Sequence, residues 1–323
     1  MTLKDVTWRL VYDRLWLKFK VKEFRFEDAL EVIFGKKKFS GKEVKYASKL
    51  LNEIEDNAYA IHTRANYDQR VRLYRLLNPE KVSNARAVYQ MVHQWESGFT
   101  LEDLVKEANR AIKWNYMYIK DGAIGFWTNY YRSVDVHHIA VLEEDLDGWI
   151  ALFKLWDTQI LVDAQIIHES KAKEQAIHLH TDLSSREDQA AEMTTLHYQP
   201  PHYAIAECLE DDDILGALAI LIRCVNTLKW KRVIETARTY RVINTLGFCL
   251  ECINKEANKE IFSEKILEKI EKLVEKRTEI IGKITELGTT IYQRFPFQTL
   301  EKKWNVEYCQ ANVFTKAVED LVR

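Results

Sequence analysis

Glycine and proline are scarce in this chain, with 10 and 4 among 323 residues. So few turn formers argue against a sandwich or barrel and for helices joined by short connections. Cysteine is scarce too. The five residues are odd in number and scattered through periodic apolar segments, which argues against a disulfide framework and for a reducing compartment. Long apolar runs are missing. The longest, Ile214 to Val225, is interrupted by Arg223 and falls short of the roughly 20 residues of a membrane span. The opening MTLKDVTWRL has neither the basic start nor the apolar stretch of a secretory signal. A soluble, cytoplasmic protein is expected. No low-complexity tract is present, and 47% hydrophobic with 30% charged residues is a globular composition. The length accommodates two or three domains.

The net charge of -2 conceals an asymmetry. Residues 1–78 carry 17 Lys+Arg against 11 Asp+Glu, a net +6, and the remainder carries 30 against 38, a net -8. A basic head on an acidic body suits a polyanion-binding module.

The head has a legible order. Residues 3–19 place Val6, Leu10, Leu15 and Leu17 near the helical period. An extended stretch, Glu23 to Phe26, leads into a second helix, FEDALEVIFG, with acidic residues in its first turn and Gly35 as a left-handed cap. Ser40 and Glu43 form a capping box for a third helix, GKEVKYASKLLNEIED. Two β-favouring runs follow, AYAIHTR and VRLYRLL, joined by polar residues around Ala65 to Gln69. Three helices and a hairpin are the order of a winged helix-turn-helix, expected over 1–78.

The third helix carries the binding expectation. Val44, Ala47, Leu51 and Ile54 form its packing stripe, and Lys42, Lys45, Tyr46 and Lys49 share another face without an acidic residue among them. Such a face suits phosphate contacts and groove entry. Lys36, Lys37 and Lys38 precede it, and Arg64, Arg70 and Arg72 sit at the wing.

Residues 79–133 read as a second unit. A helix over Glu80 to Trp95 stops at Gly98, Thr100 and Asp103 open another through Ile112, and the aromatic runs around Lys120, Asp121 and Gly122 predict a hairpin. The unit is expected to be a second wing-like module or a dimer surface. In 134–323, VDVHHIAV predicts a strand, the first half of the segment from Leu146 a helix, and residues 175–208 strand-like alternation around a turn at Pro200 and Pro201. From Glu207 the chain predicts nearly continuous helix. Its last long helix carries the stripe Ile266, Ile270, Leu273 and Val274, and a late strand is expected over KKWNVEYC. The fold class expected is mainly α with small β hairpins, with a largely helical C-terminal domain.

Two phrases add a resemblance. Leu246-Gly247-Phe248-Cys249-Leu250-Glu251 and Lys303-Trp304-Asn305 resemble motifs of AbiEi-type antitoxins and related winged-helix regulators. The resemblance covers about a hundred residues, and the chain departs from the pattern by its inserted unit at 79–133 and its helical tail. It implies DNA-binding autoregulation, a nucleotidyltransferase-type toxin as a partner and no enzymatic activity. Because one winged helix buries too little surface for tight specific binding, a homodimer on DNA is expected, associating through the C-terminal region or the 79–133 unit, with no catalytic residues and no cofactor.

Catalytic constellations are thin. Cys249 and Cys252 make a C-x-x-C inside a helical pattern, with no second pair at zinc-site spacing. His178 and His180 fall on one side of a strand, and His137, His138, His197 and His202 lie in nearby segments, so a metal site requires three or four of them to converge. Asp163, Glu169 and Lys171 are similar to a nuclease D…E-x-K pattern with a short gap. The expectation is therefore a transcriptional regulator bound to double-stranded DNA, with no metal. The alternatives are a metal-dependent nuclease targeted by the winged helix, and a protein-interaction scaffold.

Overall fold

The computed structural model describes residues 7–65, 68–94, 98–128, 136–162, 165–170, 176–193, 197–281, 297–308 and 313–322. The protein is mixed α+β, with helices predominating and strands in small sheets.

The chain begins with α1 (Trp8–Phe19), β1 (Phe24–Arg25), α2 (Phe26–Phe34), α3 (Gly41–Asp56), β2 (Ala60–Ala65) and β3 (Asp68–Leu76). Thr7 caps α1 by accepting from the Leu10 amide, and Gly35 ends α2 at φ 66°. The Ser40–Glu43 capping box starts α3. The strands form an antiparallel sheet in the order β1-β3-β2, with Phe24 opposite Tyr74 and Ala60 opposite Leu76. Val11, Leu15, Leu30, Ile33, Leu50, Leu51 and Ile54 close one core over it. The expected α1 stripe is corrected here. Leu17 is 76% exposed and Val11 is buried in its place, because 100° per residue turns Leu17 off the face that holds Val11 and Leu15. Val6 lies outside the described residues.

Next come α4 (Pro79–His93), α5 (Leu101–Ile112), β4 (Tyr116–Tyr118), α6 (Asp121–Thr128), β5 (Val136–Val141), α7 (Leu146–Leu155), β6 (Gln159–Val162), β7 (Gln165–His168) and β8 (Ala176–His180). The hairpin expected around Asp121-Gly122 is instead the start of α6. Lys120 takes a left-handed φ of 50°, the Ile124 amide donates to its carbonyl, and Ala123 and Ile124 are buried. Burial of an amphipathic turn overrides the local turn signal here.

The remaining elements are α8 (Glu187–Glu192), α9 (Pro201–Glu210), α10 (Ile214–Arg223), α11 (Trp230–Thr239), α12 (Ile243–Glu256), α13 (Glu264–Glu271), β9 (Glu279–Ile281), α14 (Gln298–Trp304), β10 (Val306–Tyr308) and α15 (Val313–Ala317). The strand-like reading of residues after Pro201 is corrected: Pro201 opens a helix at its first position, where its missing N–H costs nothing. The long helices are shorter than expected. Arg241, at φ 58°, separates α11 from α12, and α13 ends at Glu271 before β9 pairs in parallel with β10. Glu279 ties that strand to α12. Its carboxylate accepts from the Thr245 amide and hydroxyl, both at 2.7 Å, and so caps the N-terminus of the helix.

Two compact units emerge, residues 1–117 with 135–186, and 118–134 with 187–323. This partition runs along different lines from 1–78, 79–133 and 134–323, since both units are discontinuous. In the first unit the N-terminal elements are tied to α7. Asp147 accepts from Arg75 at 2.7 Å and from the Asn78 amide at 2.9 Å, and the Lys154 ammonium donates to the Ala60 carbonyl at 2.9 Å. The same unit holds a sheet ordered β4-β5-β8-β6-β7, in which β5 and β6 both run parallel to β8. Among the described residues no helix is long and apolar enough to cross a membrane.

Candidate nucleic-acid interface

Alternation along the β2–β3 ribbon decides which side chains share a face. Leu76 and Tyr74 of β3, with Ala60 of β2, lie in the core that α3 covers. Further out on the same face lies Arg72, with Arg64 directly opposite it in the antiparallel register, and beyond a register shift Arg70 lines the adjoining groove. The face is thus apolar at its base and cationic at its tip. The register thus sets two cations side by side at the tip.

Beside that tip, Val44, Lys45 and Ser48 of α3 form the other wall of a groove of about 640 Å³, which Arg25, Phe26 and Glu27 complete. Among the described lining residues Arg25, Lys45, Arg70 and Arg72 are cationic and Glu27 is acidic. Arg70 is partly committed. Its guanidinium makes a two-pronged contact with Asp68 at 3.1 and 3.2 Å, which holds the Asp68 carboxyl below its usual range. Arg25 is a wall residue that the sequence pattern did not single out. It sits at the junction of β1 and α2, as the residue before the first turn of α2, and its one local signal is a basic residue between Phe24 and Phe26.

The lysines of α3 divide in function. Lys42, Lys45 and Lys49 lie toward solvent. Lys49 lies 3.6 Å from Glu53, which reduces its net charge toward a ligand. Tyr46 lies elsewhere: it is half-buried against the N-terminal core and lines a hollow with Trp8, Arg9 and Lys49. Four residues advance a helix by 40° beyond a full turn, which carries Tyr46 off the face of Lys42 toward α1. Before the helix, Lys36 binds Glu43 at 2.7 Å. That contact, with the Ser40 amide and hydroxyl, lowers the Glu43 carboxyl to about 2. Lys36 therefore serves the cap, while Lys37 and Lys38 are exposed.

The other constellations separate. His138, His178 and His180 come together on β5 and β8, whereas His197 and His202 belong to the second unit. Cys249 and Cys252 are fully buried in α12, and burial pushes both thiols far up. Such a pair has little thiolate character at neutral pH. Asp163 and Lys171 lie outside the described residues, and Glu169 is exposed just after β7.

No protein-family model, no curated protein and no solved structure matches this chain. Function is therefore argued from the geometry above.

Proposed function

We propose that residues 7–76 are a winged helix-turn-helix that binds double-stranded DNA, and that the protein is a DNA-binding transcriptional regulator. The observation that carries this reading is the pairing of Arg64 with Arg72 at the tip of a ribbon whose neighbouring groove collects Arg25, Lys45 and Arg70. Phosphate oxygens are the anions that such a cluster of cations attracts. In this arrangement α3 presents Lys42 and Lys45 to the major groove while the ribbon holds the flanking backbone.

The test is fluorescence anisotropy of the whole chain with a labelled duplex over a salt series. Arg64→Ala with Arg72→Ala should weaken binding to every duplex and reduce the slope of log K against log salt by about 0.9 for each phosphate no longer neutralised. Circular dichroism of the variant checks that the ribbon stays folded. Unchanged affinity and slope would overturn the reading and favour a protein partner for this face.

The reading includes association as a homodimer, since one such module buries too little surface for tight specific binding. Sedimentation as a monomer both free and on DNA would remove that element. Neutralisation of a nucleotidyltransferase-type toxin is proposed on the two phrases Leu246–Glu251 and Lys303–Asn305, which meet in the fold: Trp304 donates to Glu251 at 2.6 Å. An adjacent nucleotidyltransferase gene whose product co-purifies with this chain supports it, and the lack of any such gene removes it.

A further inference from the structure

We infer that His138, His178 and His180 form a binding site for one zinc ion, independent of the DNA-binding face. The inference begins with strand geometry. His178 and His180 are two apart on β8 and so project from one face of the sheet. β5 runs parallel to β8 with His138 in register with His178 and Ala140 in register with His180. His138 thereby joins the other two on the same face, and beside His180 the neighbouring strand contributes only the methyl group of Ala140. The opposite face of these strands carries the buried Ile139, Ile177 and Leu179. This apolar side fixes the register, and a one-residue slip would reverse every imidazole.

The side chains converge as the strands require. His138 Nδ1 lies 2.9 Å from His180 Nε2, and one ring nitrogen from each of the three residues lies within 4.8 Å of the others. Ligands at 2.0–2.1 Å in a tetrahedron are separated by about 3.3 Å. The 2.9 Å pair lies close to that value, so small ring rotations about χ1 and χ2 bring it to ligand spacing. All three residues are half-buried, which leaves an entry path and limits the rotamer freedom given up on binding.

The donor set selects the ion. Imidazole nitrogens without carboxylates suit zinc and the neighbouring late first-row divalent ions, and not magnesium or calcium. Three protein ligands leave a fourth tetrahedral position for water or an anion, unlike the closed four-ligand sites of purely structural zinc.

The experiment uses the full chain, free of affinity tags and treated with chelator, titrated with zinc chloride by calorimetry and with cobalt(II) by visible absorption. One equivalent should bind, with a tetrahedral cobalt spectrum, and the thermal midpoint should rise with zinc concentration. His178→Ala should weaken zinc by at least tenfold, as should His138→Gln, which keeps most of the side-chain volume should the alanine variant fold poorly. Near-UV circular dichroism of the metal-free variants checks their packing. Failure to bind one equivalent would overturn the inference. So would an affinity and cobalt spectrum unchanged by either substitution, since the ion would then be held elsewhere. DNA binding is measured separately, so the two readings fail independently.

Discussion

Trp304 occupies the space that any side chain at Gly247 would fill. A Cβ at position 247 would lie 2.1 Å from the indole ring, while the indole Nε1 donates to Glu251 one turn along α12. Lys303 adds a second contact to Glu251, at 2.8 Å. Glycine is needed here for close approach. Gly247→Ala should cost at least the roughly 1–3 kcal/mol of an overpacked core, because both the helix and the completely buried ring resist displacement. Urea unfolding of the two proteins measures it, and equal midpoints would show that α14 can shift freely.

Asp147 anchors the N-terminal module to α7 through Arg75 and the Asn78 amide. The side chains of Arg75 and Asp147 are 23% and 13% exposed, so removing the carboxylate strands a largely buried cation. Asp147→Ala should destabilise by about 2 to 3 kcal/mol, somewhat below the value for a fully buried pair. Asp147→Asn, which keeps an acceptor for Asn78, should lose less. Chemical denaturation ranks the two, and the reverse order would disprove the assignment.

The cap of α3 should respond to acid. Glu43 is lowered from 4.5 to about 2 by Lys36 and Ser40, so in the folded protein its charged form is the favoured one. That contribution is complete above the unfolded value near 4.5 and is lost as pH falls toward about 2. Amide exchange in the first turn of α3 should therefore accelerate over that interval relative to the helix centre. Glu43→Gln should remove the pH dependence, and an identical profile in both proteins would contradict the cap assignment.

Cys249 and Cys252 should be inert in the native protein. Both are fully buried, and burial disfavours their thiolates. With a maleimide at neutral pH, mass spectrometry of the peptides should show neither residue labelled until denaturant is added. Prompt native-state labelling would mean that α12 opens far more readily than its packing implies.

The order of the N-terminal module is legible because its signals are local. Ser40 with Glu43, and Gly35 after a helical run, each act within one turn. The lysine face of α3 follows from the same periodicity, and Tyr46 departs from it because its ring is drawn to the edge of the core beside α1. α6 and the helix opened by Pro201 are hidden since their aromatic and branched residues favour strands, and only distant burial decides otherwise. The histidine cluster is hidden for a topological reason. His138 meets His180 across 42 residues, through parallel pairing that no neighbouring residue encodes. Arg25 escapes notice because it contributes to the groove only once β1 joins β3.

The ties between the first eighty residues and α7 also bear on how the protein is made. In order of synthesis the N-terminal module is finished at Leu76, yet the carboxylate that holds Arg75 and Asn78 follows Asn78 by 69 residues, and the ammonium that meets Ala60 follows it by 94. At roughly 5–20 residues per second, the nascent module waits about 4 to 14 s for Asp147. During that interval Arg75 lacks its counterion and the Ala60 carbonyl of β2 lacks its donor. A chaperone or protease at the ribosome therefore meets this head in a looser form than it has in the finished protein, and a message that ends before α7 yields a head that never acquires its anchor.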